Sequence, residues 1–182
     1  MNSVNTSQVP YMLAMDDLDP GELRASFGGF PSGVAALCAY VDEQPVGLVA
    51  TSFTVGVSFE PPLVLFSIQH TSRTWLRLRA APRLGVSILG RGQADACLQL
   101  ASRTRDRFEG LELARTESDS ILLGGASMWM ECERHSEFTA GDHDVVVLAV
   151  TGIAAAEDTA PLIYHQSGLH PLETATGKRS RP

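Results

Sequence analysis

Apolar residues along this chain fall mostly in short runs of strand length, punctuated by glycine, proline and acidic turns. Val34 to Val41 and Val46 to Ser52 are two such runs, β-branched in part, and Asp42-Glu43-Gln44-Pro45 between them reads as a hairpin turn. Leu63 to Ile68 is a third run, entered through Pro61-Pro62, which have no N–H to give a ladder and so belong at a strand's start. Leu84 to Leu89 is a fourth. Ala126 to Phe138 is a long fifth, with Met128, Met130 and Cys132 alternating against Ser127, Glu131 and Glu133, and Trp129 on the polar side. Val145 to Ala155 is a sixth.

Helical patterns are fewer. Asp19-Pro20-Gly21-Glu22 predicts a helix start running through Phe27 and stopped by Gly28-Gly29. Thr74 to Ala80 places Trp75, Leu76 and Leu78 on roughly one face, and Gln93 to Ser102 places Ala94, Cys97, Leu98 and Ala101 at helical spacing. Because strands dominate and helices do not alternate regularly with them, the expectation is a mainly β fold: a six-stranded antiparallel barrel with a few peripheral helices. One domain is expected over residues 17–172, with flexible tails at 1–16 and 173–182.

Composition narrows the classes. A net charge of -7 argues against a nucleic-acid surface. No apolar stretch is long enough to cross a bilayer as a helix, and no basic segment leads into an apolar signal core. Cys38, Cys97 and Cys132 are widely spaced, without a CxxC, which suits buried thiols in a reducing cytoplasm.

Candidate chemistry is sparse. Gly90-Arg91-Gly92-x-x-Asp95 superficially matches a dinucleotide fingerprint, but a carboxylate stands where the pyrophosphate would approach, and a plain turn is the better reading. There is no GxSxG and no P-loop. Cys132, His135, Asp142 and His143 fit no familiar zinc spacing. Thr71-Ser72-Arg73-Thr74 gathers three hydroxyls and a guanidinium at a helix start, either as a simple N-cap or as an anion site. Thr51-Ser52-Phe53-Thr54 ends a strand with groups suited to the polar edge of a planar heterocycle, or is an ordinary strand end. Asp106-Arg107-Phe108-Glu109-Gly110 reads as a polar loop able to form a surface salt bridge. His143, in Gly141-Asp142-His143 before the last apolar run, is a general acid, a ligand donor or a solvated turn residue. Its neighbours Asp142 and Asp144 favour the protonated ring.

In order, several short segments resemble the flavin reductase-like family with the FMN-binding split-barrel fold. They are Phe27-Gly28-Gly29-Phe30-Pro31-Ser32-Gly33-Val34, Gly47-x-x-Ala50-Thr51-Ser52-Phe53, Val57-Ser58-x-x-Pro61-Pro62-Leu63-Val64 and Thr71-Ser72-Arg73-Thr74. The series continues with Asp106-Arg107-Phe108-x-Gly110, Leu123-x-Gly125-Ala126, Glu131-Cys132, Gly141-Asp142-His143 and Pro161-Leu162-Ile163-Tyr164. The resemblance spans about Leu18 to Leu172.

It implies a Greek-key split barrel and a cytoplasmic homodimer with flavin near the subunit boundary. Pro31 and Ser32 would lie near the ring, and Thr51, Ser52 and Phe53 would contact isoalloxazine and ribityl. Ser67, Ile68 and Gln69 would line the same groove, Ser72 and Thr74 would receive phosphate, Ala101 and Ser102 would border the flavin tail, and His143 would seat the nicotinamide. The implied activity is hydride transfer from NADH or NADPH to FMN or FAD, supplying a separate flavin-dependent monooxygenase. A flavin-bound enzyme acting directly on an organic substrate, or a non-catalytic flavin carrier, is the alternative. Three positions depart from the pattern: Leu100, where a phenylalanine is common beside the flavin tail, Gly56 in place of a serine, and Leu169 in place of an aromatic residue.

Overall fold

A computed structural model describes residues 14, 16 and 18–173, so the expected tails lie almost wholly outside the described residues. The first long strand pair carries the architecture. Strand β2 (Ala35–Val41), preceded by the short β1 (Ser32–Gly33), pairs with β3 (Gln44–Ala50). Ala35, Leu37 and Ala39 enter one core and Val34, Ala36 and Cys38 a second. A strand buried on both faces reads as a continuous apolar run, which is why this segment shows no alternation. The turn is tighter than expected: only Asp42 and Glu43 form it, both with positive φ (51° and 58°), as a two-residue hairpin requires. Pro45 therefore lies inside β3, where an edge strand tolerates a missing N–H.

The remaining main strands are β4 (Thr54–Phe59), β5 (Pro62–Gln69), β6 (Leu84–Ile88), β9 (Met128–Ala140) and β10 (His143–Ala155). With β2 and β3 they form one antiparallel sheet in the order β3-β2-β6-β9-β10-β5-β4. Seven strands stand where six were expected. The unforeseen β4 was hidden because Gly56 breaks its apolar run, and because Val55, Val57 and Phe59 face outward (58%, 43% and 86% exposed). Gly56 has φ +72°, at an irregularity in the pairing with β5, so the residue standing for the family's serine occupies backbone that favours glycine. A short pair, β7 (Leu113–Arg115) and β8 (Ile121–Leu123), and a hairpin, β11 (Leu162–His165) with β12 (Gly168–Pro171), complete the strands; β11 also pairs with β1.

Helix α1 (Pro20–Gly28) starts as expected, with Asp19 accepting from Gly21 and Glu22 N–H in a capping box. In α2 (Arg73–Leu78), Trp75 and Leu78 are buried, whereas Leu76 is 60% exposed. Positions three apart share a helix face and a neighbour lies about 100° round, so Leu76 leaves the expected stripe. Trp75 meets Phe66 edge-to-face at 5.2 Å inside the barrel core. In α3 (Ala94–Leu100) it is Cys97 and Leu100 that are buried, while Leu98 is exposed.

The sheet coils until the chain leaving β3 reaches β5. Beyond the end of β3, the Ser52 hydroxyl donates to the Ser67 carbonyl (3.0 Å) and accepts from the Ser67 N–H (3.1 Å). One side chain thus does what a strand partner would do on that margin of β5. On the opposite side, β6 packs so closely on β8 that a Cβ at Gly85 would overlap the Ile121 carbonyl, and the buried Ser87 hydroxyl accepts the Leu123 N–H at 2.9 Å. Gly85→Ala is expected to cost about 2 kcal/mol or more, read as a lowered urea midpoint at unchanged slope.

Candidate functional site

A cleft of about 760 Å³ opens between α1 and the segment that follows β3. Its walls include Arg24, Phe27 and Phe30 on one side, Thr51, Ser52, Phe53 and Thr54 on the other, and Ser32, Tyr164 and Ser167 across the end. The volume lies in the range of small-molecule sites. Local geometry holds each wall in place. Ser32 pairs with Tyr164 across β1–β11, the Gln166 N–H donates to the Gly28 carbonyl (2.6 Å), and Phe53 packs on the barrel core. Pro31 is turned away from this cleft. It lines a separate hollow of about 230 Å³ with Ile163, His165, His170, Pro171 and Leu172.

A second group of polar side chains collects around Arg107. Its Nε donates to the Ser102 carbonyl (2.8 Å), and Nη1 donates to the Gly47 carbonyl (2.9 Å) and to Thr74 Oγ1 (2.9 Å). The expectation of a surface salt bridge for this loop is overturned: the guanidinium is half-buried and satisfied by neutral oxygens of three separate elements. Ser72 Oγ accepts the Trp75 N–H, and Ser102 Oγ accepts the N–H groups of Thr104 and Arg105. Ser72, Thr74 and Ser102 therefore all accept from the protein, and among the described residues none gives its own O–H proton to an acceptor. Three unspent O–H donors near a cation suit an anion.

His143 begins β10, opposite Gln69 of β5. Ser67 lies two residues back, about 6.8 Å along the strand, so the imidazole sits one same-face step from the Ser52 junction. Its Nδ1 is 2.7 Å from Asp142 Oδ1, a contact that makes Nδ1 the protonated nitrogen and leaves Nε2 free. The hydrogen bond and charge of His143 hold the Asp142 carboxyl below its ordinary 3.8. Asp144 does not serve His143: it takes the His70 ring at 3.0 Å and the Thr139 hydroxyl at 3.0 Å. Burial pushes the Cys38 and Cys132 thiols up to about 12, so neither is a thiolate nucleophile at neutral pH. Among the described residues, no three His, Cys, Asp or Glu side chains gather as metal ligands.

A family profile described as the flavin reductase like domain matches residues 27–173. The chain belongs to the flavin reductase-like family. It is 32% identical over 152 residues to a flavin reductase of Pseudomonas putida, covering 83% of this chain and 89% of that one. It is 30% identical over 165 residues to HsaB, the reductase subunit of a flavin-dependent monooxygenase of Rhodococcus jostii (89% and 84% covered). Its fold matches the NADH:FAD oxidoreductase SgcE6 of Streptomyces globisporus, solved with NAD and FAD fragments. That match has a TM-score of 0.83 and 28% identity, and covers 92% of this chain and 99% of that one.

For a flavin reductase-like chain the residues present fit a flavin: a cleft of suitable size, and hydroxyl donors beside a guanidinium for phosphate. The structure brings Ser32, Thr51, Ser52 and Phe53 to the cleft, and Thr74 and Ser102 to Arg107. Several expected site residues also have roles in the fold. The Ser52 hydroxyl is spent on closing the barrel, leaving its backbone for a ligand. Ile68 packs against the barrel core, so only its main chain faces the groove, and Ser67 and Gln69 lie along β5 outside the cleft lining. Ala101 is the exposed C-cap of α3, and Leu100 is fully buried in the second core. Leu169 likewise packs against the second core. Sequence reasoning missed Arg24, Tyr164, Ser167 and the role of Arg107; Phe27, Tyr164 and Arg107 stood in recognised segments, but only the fold shows what they face.

Ser52→Ala is expected to lower stability by about 1–3 kcal/mol, measured by urea unfolding, because it leaves both Ser67 main-chain groups without that partner. The depressed Asp142 carboxyl contributes stability that is present above its ordinary value and is lost as pH falls through the lowered one. His143→Ala should return that carboxyl upward toward 3.8, read from side-chain carboxyl carbon shifts in an NMR titration.

Proposed function

We propose that this protein is an NAD(P)H:flavin oxidoreductase that delivers reduced FMN or FAD to a separate flavin-dependent monooxygenase. The observation that carries the reading is the half-buried Arg107, tied to Thr74 and Ser102, whose hydroxyls keep unspent protons, with the Ser72 hydroxyl at the start of helix α2, on the β3 side of a cleft large enough for a tricyclic ring. Gly47, which anchors Arg107, and Thr51, on the cleft wall, are four residues apart, about 13 Å of strand. A phosphate at one end and a ring at the other would follow that margin.

When bound, the flavin supplies the hydride-accepting ring, and the nicotinamide supplies the donor. The chain's own work is alignment. Phe27 and Phe30, both largely exposed on the cleft wall, and Phe53 would cover the apolar part of the ring, and the Thr51–Thr54 backbone, held by the Ser52–Ser67 junction, would meet its polar edge. His143, oriented through Nδ1 by Asp142, presents Nε2 to the nicotinamide. Holding both rings in contact turns a bimolecular encounter into an intramolecular one.

The same reading includes a homodimer. Strand β4 is the margin of the sheet, and its exposed Val55, Val57 and Phe59 make an apolar face that a second copy would cover. It also takes residues 17–172 as one domain working in the cytoplasm. Among the described residues, no helix is long and apolar enough to cross a membrane.

A fluorescence titration with FMN and FAD should show binding at micromolar concentrations, and adding NADH or NADPH aerobically should give flavin-dependent nucleotide oxidation. Absence of flavin binding overturns the proposal. His143→Ala is expected to raise the KM for the nucleotide about tenfold while flavin binding persists; unchanged kinetics at limiting nucleotide would remove His143 from the site.

A further inference from the structure

We infer that Arg107 is a positioning residue that makes the site select phosphorylated flavins, acting through Thr74. The inference rests on the flavin-binding reading above and deepens it. A threonine hydroxyl both donates and accepts, and in isolation it rotates to suit either role. Here the Arg107 Nη1–H occupies a lone pair of Thr74 Oγ1 at 2.9 Å. With one lone pair taken, the O–H proton must point away from the guanidinium, where it is available to an acceptor. A cationic donor also polarises the O–H it bonds, which strengthens the bond that O–H makes to an anion.

The guanidinium is itself held in a fixed attitude. Two carbonyls, from Gly47 on β3 and Ser102 at the end of α3, grip it from separate elements. Three of its five N–H groups are therefore spent, and Nη2 meets no acceptor among the described residues. It forms no ion pair among them either: the neighbouring Asp106 carboxylate accepts from the Phe108 N–H instead. A half-buried cation without a carboxylate partner is costly unless an anion completes it. The grip on the Ser102 carbonyl adds a further consequence. It ties Arg107 to the loop whose Ser102 hydroxyl, already accepting two N–H groups, is likewise left to donate. One side chain thus orients the Thr74 donor, anchors the residue that carries the Ser102 donor and supplies the charge.

The test compares FMN with riboflavin, which lacks only the phosphate, in steady-state NAD(P)H oxidation and in equilibrium binding. Wild type should prefer FMN. In Arg107→Gln the KM and Kd for FMN should rise at least about tenfold relative to those for riboflavin, as expected for losing a charge-assisted interaction, with kcat on saturating FMN little affected. Thr74→Val should lower the same preference, and the double variant should lose less than the sum of the two, because both act on one contact. Arg107→Lys should recover part of the preference by restoring charge. Thr74→Val, which leaves the Arg107 scaffold in place, keeps the test open if Arg107→Gln does not fold. Equal losses for FMN and riboflavin, or additive effects of the two variants, overturn the inference while leaving flavin binding standing. A wild type that binds both flavins equally overturns the phosphate cradle itself, and one that binds neither overturns the functional reading on which it rests.

Discussion

Two cores share strand β2, and much else in the molecule depends on that constraint. Its alternate side chains fill the barrel on one face and the layer beneath α3 on the other, so neither face is available to solvent or to a ligand. The pairing with β3 is correspondingly tight: a Cβ at Gly47 would press on Cys38 Sγ and the Phe108 ring. That close approach seats the loop carrying Phe108 directly under β3. Arg107, one residue earlier, is thereby delivered to the Gly47 carbonyl and to Thr74. The cationic character of this corner is thus a by-product of packing a second core against the barrel.

The cleft has a related origin. A sheet of seven strands with two free margins must coil and close, or leave both margins exposed. Closure here is made by one hydroxyl, Ser52, in the place where a strand would continue. Because the closure is a single side chain and not a ladder, the backbone around it stays accessible, and α1 with the β11 end can form the opposite wall. The barrel is split at the cleft proposed for the flavin ring. His143 is set by the same ladder, since the register of β10 on β5 places it one same-face step beyond the closure.

Charge is arranged to match this division. Neutral oxygens hold Arg107 and leave its charge uncompensated, whereas Arg115 is fully committed to Glu43 and Asp119 above the Tyr40 ring. The two arginines therefore differ in kind, the exposed Arg115 completing an ion-pair cluster and the half-buried Arg107 held by neutral oxygens alone among the described residues. Two histidines at this end of the sheet are each held by an aspartate, His70 through Nε2 by Asp144 and His143 through Nδ1 by Asp142.

By itself the sequence determined the strand runs of β2, β3, β5, β6, β9 and β10, the capped start of α1, the placement of Pro62 at a strand's start and the order of the family's segments. All of these are written in local periodicity and turn chemistry, which act over a few residues. It did not determine β4 or the β11–β12 hairpin, whose apolar residues face outward or alternate too briefly to announce a strand. Nor did it determine which of Trp75, Leu76 and Leu78 would be buried, a matter of which face the barrel covers. Ser52 as a closure, Ile68 and Leu100 as core residues, and Arg107 as the link between the Gly47 and Ser102 carbonyls and the Thr74 hydroxyl were decided only by tertiary structure. Each depends on a partner 15 to 60 residues away in the chain, and no local pattern encodes which distant carbonyl or hydroxyl will arrive within hydrogen-bonding reach.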